Sequence, residues 1–321
     1  MNNNEAGITP SLEPTPDDIR NKILKEKKPF TLDELAQEIH IGVGILHETI
    51  DSLIEEGYTF QKVEDYYLRS KNRKQEISAD HSSIFKRDFS FGIVSDTHLG
   101  SKQERLDAIN SMYDIFEKEG IGVVYHIGDI TDGFGMYRGQ EFEVHKLGQQ
   151  EQIDYTKKVY PKGKNITTYF ITGNHDLKQY ERGGVDVGNV ISQRKDLHYL
   201  GQAMAQVKIG QDVIMELLHP AGGISYALSY KAQRDINNRN PNDLPNILVY
   251  GHYHVAFYMH YRGIDFIQAG CFKDAGIWER RLGLNPVIGG WIVEGKMTDD
   301  SSEIERFNPH LFTFDKARKR E

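Results

Sequence analysis

Five short segments spread over residues 93–254 repeat one pattern, an apolar run that ends in aspartate, asparagine or histidine. They are Ile93-Val94-Ser95-Asp96-Thr97-His98, Ile127-Gly128-Asp129-Ile130-Thr131-Asp132, Ile171-Thr172-Gly173-Asn174-His175-Asp176, Leu217-Leu218-His219-Pro220 and Val249-Tyr250-Gly251-His252-Tyr253-His254. A short apolar run reads as a buried strand, so each polar residue falls at a strand end. Several such ends from one sheet converge on one place. The chain must therefore fold around packed strands and carry its chemistry on the loops at their ends.

The rest of the chain agrees with that demand. Strand-like runs recur at 89–95, 122–127, 166–171, 204–209, 212–218, 247–250, 256–260, 264–268 and 288–293. Helical patterns at 103–118, 149–159 and 226–236 fall between them. Strands and helices alternate early and strands dominate later, which predicts an α+β sandwich of mixed sheets with helices outside. This main domain is expected over 89–307.

Residues 1–14 read as a flexible tail and 15–70 as a small separate domain. Pro16-Asp17-Asp18 opens a helix with Ile19, Ile23 and Leu24. Thr31 and Glu34 match a capping box before Leu35 and Ile39. Ile45, Leu46, Ile50, Leu53 and Ile54 share one face of a third helix, and 58–63 with 66–68 read as a hairpin. Three helices and a hairpin resemble a winged helix-turn-helix module. Residues 1–70 hold fourteen acidic and seven basic side chains, a net of −7. That is a poor charge for a groove-reading helix, so this module is expected to bind a protein partner, pair with a second copy or pack on the catalytic domain, with DNA contact by this helix, its wing or the basic stretch 71–74 as the alternative. Residues 71–88 are polar and read as a linker, and 308–321 as a basic C-terminal tail.

Composition excludes several classes. No apolar run is long enough to span a membrane, and the polar start MNNNEAG is not a secretory signal. A single cysteine, Cys271, rules out an internal disulfide and a cysteine zinc finger, which fits a cytoplasmic location. The net charge of −8 argues against a chain that coats nucleic acid by charge alone.

The residue types of the five segments suit metal ions. Carboxylate, amide oxygen and imidazole favour manganese, iron, zinc or similar ions, and thiolate is missing. Asp96 and His98, like His252 and His254, are two apart, so each pair faces one side of an extended turn. With Asp129, Asn174 and His219 they make seven ligands, too many for one ion and enough for two that share a carboxylate. Glycines at 128, 173 and 251 precede the ligands and permit tight turns.

In order, D-x-H, G-D-x-x-D, G-N-H-D, a lone histidine and G-H-x-H resemble the calcineurin-like metallophosphoesterase superfamily over roughly 89–294. The resemblance implies a four-layer α/β/β/α sandwich holding two divalent transition-metal ions, manganese foremost, with iron, zinc or nickel as alternatives. It implies that Asp96, His98 and His254 hold the first ion, that Asn174, His219 and His252 hold the second, and that Asp129 bridges them. A bridging water or hydroxide would be the nucleophile. His175 would stabilise the reacting phosphorus or protonate the leaving oxygen, and Asp132 would orient His175. Two ions, two carboxylates and a hydroxide leave about one positive charge, which suits a phosphate diester.

Gly133 follows Asp132 where the phosphoprotein phosphatases of this superfamily carry arginine, and Asp176 follows His175 where they carry glutamate. The first motif, Ser95-Asp96-Thr97-His98-Leu99-Gly100, is similar to that of DNA double-strand-break repair nucleases. The resemblance thus implies a phosphodiesterase, with DNA as the expected polymer substrate. A small-nucleotide phosphodiesterase or phosphatase and a non-enzymatic DNA- or protein-binding regulator are the alternatives. Tyr137, Arg138, Tyr180 and Arg182 lie in loops expected near the site mouth, where they can stack on or pair with a nucleotide. His126, inside a strand, reads as a hydrogen-bonded core group, and Cys271 as packing.

Overall fold

Two threonines start the first helices. In the computed structural model, which describes residues 14–26, 30–55, 58–63, 66–73 and 77–314, α1 (Pro16–Lys25) begins after Thr15. The Thr15 hydroxyl accepts from Asp18 N, and Asp18 in turn accepts from Thr15 N. β1 (Phe30–Thr31) leads into α2 (Leu32–Ile39), where Thr31 and Glu34 form the same reciprocal box. α3 (Val43–Glu55), β2 (Tyr58–Val63) and β3 (Tyr66–Arg73) follow. The strands form an antiparallel sheet in the order β1-β3-β2. Ile19, Ile23, Leu35, Leu46, Ile50 and Leu53 make the core of this unit. Ile45, grouped with that face by its spacing, is 47% exposed.

The elements that follow are β4 (Ile77–Asp80), β5 (Asp88–Val94), α4 (Leu106–Lys118), β6 (Val123–Ile127), α5 (Gln149–Val159), β7 (Thr167–Thr172), α6 (Asn174–Gly183), α7 (Val187–Ile191) and β8 (Leu197–Gln202). Next come β9 (Met204–Lys208), β10 (Ile214–Leu218), α8 (Tyr230–Asn238), β11 (Ile247–Tyr250), β12 (Ala256–Tyr261) and β13 (Ile264–Ala269). α9 (Ile277–Arg281), β14 (Gly289–Met297) and β15 (Ile304–Thr313) complete the chain. One six-stranded sheet has the order β15-β14-β5-β6-β7-β8 and the other β12-β13-β11-β10-β9-β4.

Period-two burial sets the layers. Phe91 and Ile93 of β5, with Tyr125, Ile127 and Ile171, join Val207, Met215, Leu217, Val249 and Ile267 of the second sheet in one core. The alternate residues Val94, Val124, Phe170 and Ile292 pack instead with Met112 and Phe116 of α4, Ile153 of α5 and Ile191 of α7. Leu248 and Phe266 of the second sheet are also fully buried. β5, β6 and β7 run parallel to one another, as do β10 and β11, and each of these five strands ends in one of the polar segments.

Several boundaries move. The stretch 71–88, read as a linker, contains the end of β3 and all of β4, which pairs with β9. His81 and Phe85 in the same stretch are buried. Residues 308–313, read as tail, belong to β15, and Phe312 and Phe314 pack on the helix-side core. Pro309 pairs opposite Val293 there, which an edge strand tolerates. Residues 1–13 of the expected tail, and 315–321 at the other end, lie outside the described residues. The helix expected from 103 starts at Leu106, because Gly100 N and Arg105 N are bonded to Glu104 Oε2 and Phe272 O in a preceding turn. The one expected from 226 starts at Tyr230, leaving Tyr226 fully exposed.

His126 of β6 is fully buried, and its Nε2 donates to Thr97 Oγ1, 3.2 Å away, whose own proton goes to Ile130 O. Burial lowers its pKa from 6.5 to about 3. A folded-state value below the unfolded one stabilises the fold above pH 6.5, and that contribution is lost as pH falls toward 3. We expect His126→Asn to remove about 2 kcal/mol of acid sensitivity between pH 6.5 and 5, at about 1.4 kcal/mol per pH unit. Urea unfolding of both proteins across that range measures it.

Candidate metal centre

The loops that leave β5, β6, β7, β10 and β11 bring all seven expected ligands together. Among the described residues, three groups have ligand atoms mutually within 4.8 Å: Asp96, His98 and His254; Asp129, His219 and His252; and His98, Asp129 and His175. Asn174 joins the second, with its Oδ1 3.1 Å from His219 Nε2.

The backbone is bent to achieve this. Asp96, His98, Asp129, His252 and His254 have φ of 52°, 45°, 53°, 74° and 54°. This left-handed region is unfavourable for residues with a Cβ and clusters at functional sites. The preceding glycines serve two different ends. Gly128 has a φ of +86°, a true turn requirement. Gly173 and Gly251 are needed for room, since a Cβ at Gly173 would strike Asp129 Oδ1 and one at Gly251 would strike Ile127 O. The reading of all three as tight-turn residues is corrected accordingly.

Several of the expected ligands are held by partners. Asp96 Oδ2 accepts from the Ser95 hydroxyl and from His252 N at 2.9 Å. Its Oδ1, which also accepts from His252 N at 3.2 Å, lies 3.4 Å from His254 Nε2 and 3.8 Å from His98 Nε2. Asp129 Oδ1 accepts from His175 N at 2.8 Å. Its Oδ2 lies 3.1 Å from His219 Nε2 and 3.8 Å from His98 Nε2, facing both clusters. His219 Nδ1 donates to Ile127 O at 2.7 Å, leaving Nε2 free to bind. His252 Nε2 donates to Gly222 O at 2.9 Å, leaving Nδ1. The Nε2 atoms of His98 and His254 face each other at 3.0 Å beside the Asp96 carboxylate, an arrangement suited to a shared cation. The nitrogen and oxygen donors fit divalent transition ions, and the thiol of Cys271 bonds instead toward Lys273 O and Val287 O.

Asp132 does not play its expected part through its side chain. His175 Nδ1 sits 2.5 Å from the Asp132 backbone oxygen. The carboxylate of Asp132 turns to His98, with Oδ1 3.2 Å from Nδ1, while Oδ2 accepts from Gln140 Nε2 at 2.9 Å. Tyr137 bonds to Glu143 at 3.2 Å and Arg138 is exposed. Tyr180 and Arg182 are in α6, and their side chains lie outside the described residues.

Two features escaped the sequence reading. Asp176 is buried and accepts from Ile130 N, Thr131 N, Thr131 Oγ1 and Gly173 N, tying the second loop to the third. Its place beside His175 was the only signal. Lys273 is 3% exposed, bonded to Glu279 at 2.5 Å and 3.9 Å from Asp132 Oδ1.

The model of the calcineurin-like phosphoesterase superfamily domain matches residues 89–280. The chain belongs to this superfamily. DNA polymerase II small subunits are similar to this calcineurin-like phosphoesterase. That of Methanothermobacter thermautotrophicus is 24% identical over 63% of this chain and 51% of its own length. That of Archaeoglobus fulgidus is 26% identical over 64% and 50%. The chain thus spans about half the length of the curated relatives it matches. Among solved structures, an archaeal phosphodiesterase is 16% identical, covering 70% of this chain and all of that one, with a TM-score of 0.40. Zinc-bound Vps29 of Entamoeba histolytica is 15% identical over 70% and 99%, with a TM-score of 0.34. Among the described residues, no helix of this phosphoesterase is long and apolar enough to cross a membrane.

Without ions, the centre takes up protons. Burial opposes charge on His98, but the Asp132 and Asp96 carboxylates reverse that and raise its pKa to about 10. Burial likewise opposes charge on His219, and Asp129 raises it to about 9. Divalent ions in these clusters must displace both protons. Adding Mn²⁺ to metal-free protein at pH 7.5 should therefore release about two protons, and apparent affinity should rise with pH until about pH 9–10. Calorimetry in buffers of different ionisation enthalpy reads the proton count directly, and no proton release would contradict the charge assignment.

Proposed function

We propose that this phosphoesterase hydrolyses phosphate diesters with two divalent transition-metal ions, manganese foremost, and that its substrate is DNA. The observation that carries the reading is the position of Asp129, whose Oδ2 faces both the His98 side and the His219 side of the centre. Asp96, His98 and His254 are assigned to one ion, Asn174, His219 and His252 to the other, and Asp129 to both. When bound, such a pair activates water and neutralises phosphate charge.

The chain's own residues do the rest. The Ile127 and Gly222 carbonyls hold His219 and His252 in the tautomers that leave Nε2 and Nδ1 free. The Asp132 carbonyl holds His175 Nδ1, so Nε2 points toward Asp129 Oδ2, 4.0 Å away. Nε2 is then the atom that donates a proton to the leaving oxygen. Asp132 acts on His98, and its backbone on His175. Gly133 replaces the arginine that grips a phosphomonoester in the phosphatase branch, which favours a diester.

The DNA assignment is supported by the similarity to DNA polymerase small subunits and by the nuclease-like first motif. The same relatives are named as subunits, which supports a protein partner as well. The acidic balance of residues 1–70 favours that partner, rather than DNA, for the N-terminal unit.

Manganese-loaded protein should hydrolyse bis-p-nitrophenyl phosphate and cleave single- or double-stranded DNA. Hydrolysis of the small diester without DNA cleavage would reject DNA as substrate. No hydrolysis with two ions bound would reject the enzyme reading in favour of a regulator. His175→Ala should keep both ions while turnover falls roughly 10²–10⁴-fold. Asp129→Asn should reduce the bound ions below two per chain, which elemental analysis after gel filtration measures.

A further inference from the structure

A cavity of about 430 Å³ opens beside Asp129 and His175. Its further walls come from residues on three loops that are not themselves assigned to the ions or to proton transfer. Ile224 lies beyond the His219 segment, Tyr253 and Val255 alternate with His252 and His254, and Leu282, Leu284 and Pro286 precede β14. The volume is in the range of pockets that enclose one small molecule, roughly 300–1,000 Å³.

The charge of the lining narrows what fits. It contains no lysine or arginine. Its acidic members are Asp129 and Glu279, and both Glu279 oxygens are engaged, by Lys273 Nζ at 2.5 Å and by Gly276 N at 3.0 Å. A second phosphate here would meet carboxylates and apolar walls, and the ammonium beside the lining, that of Lys231, is engaged by the Tyr253 ring and hydroxyl. The Tyr253 ring is fixed by Lys231, which donates to its hydroxyl at 3.2 Å and stands 4.7 Å from its centroid. An aromatic ring beside aliphatic walls suits a flat, uncharged group.

We propose that this cavity receives the nucleoside joined to the phosphate under attack, and that its apolar walls read the base. The inference rests on the phosphodiesterase reading, since it places the phosphate at the metal centre and its organic substituent alongside His175. Any nucleobase offers a π-face, so the cavity is selective for the presence of a base more than for its identity.

The test compares three monophosphates that share the anchoring group: thymidine 5′-monophosphate, ribose 5-phosphate and methyl phosphate. Their inhibition constants against bis-p-nitrophenyl phosphate are measured on manganese-loaded full-length protein, and their dissociation constants by calorimetry. We expect the thymidine compound to bind at least about ten-fold more tightly than the other two, which should be alike. Leu284→Asp should erase that advantage while changing methyl phosphate binding less than about two-fold. Leu282→Ser, at a 56% exposed position, serves the same purpose should the first variant fail to fold. Equal binding of all three by the unaltered protein, or equal weakening of all three by the variants, would overturn the assignment. If no diester is hydrolysed but calorimetry still separates thymidine 5′-monophosphate from methyl phosphate, the cavity inference stands and the reaction assignment fails.

Discussion

The centre depends on two buried carboxylates. Asp96 and Asp129 are at most 1% exposed, and burial alone would make both costly to ionise. Burial pushes their pKa values up, yet the surrounding histidines hold both well below the usual carboxylate range. Charge therefore has to be supplied from within, by protons on His98 and His219 or by cations in their place. The five left-handed ligand residues cost energy as well, of order 1–3 kcal/mol each. Such backbone persists only where surrounding packing over-determines it. Here the strands that deliver the loops are locked between two sheets by Phe91, Ile93, Ile127, Ile171, Leu217 and Val249.

That division explains what the sequence disclosed. The clustered residues were legible because each stands at the end of a strand buried on both faces, and such strands read as continuous apolar runs. β4, β8 and β15 were not, and all three lie at sheet edges. An edge strand has a weaker apolar signal, and Pro309 in β15 reads as a breaker although an edge position needs no amide there. The change of partner at Asp132 was equally hidden. Spacing places a residue on a loop but does not say whether its carbonyl or its carboxylate faces the neighbouring ring.

The cavity walls were illegible for another reason. Ile224, Leu282, Leu284 and Pro286 carry no chemistry of their own and no periodicity, and they matter only because the chain returns to the ligands twice. Lys273 belongs to the same class. Nothing in Cys271-Phe272-Lys273 suggests a buried cation until Glu279 and Asp132 are placed around it.

Asp132 joins the two sides of the site through different atoms. Its carbonyl anchors His175, and its carboxylate meets His98, whose ring lies 4.5 Å from that of His175 at nearly a right angle. Gln140 holds this residue at both ends, donating to its carbonyl at 3.0 Å and to Oδ2 at 2.9 Å. A side-chain change at 132 that keeps this backbone in place therefore acts on the His98 cluster and spares the anchor of His175. A change at Gln140 reaches both rings at once. The pairing of His98 and His175, the proposed metal ligand and proton donor, is thus a property of the 132–140 loop as a unit, and the acidic side chain alone does not account for it.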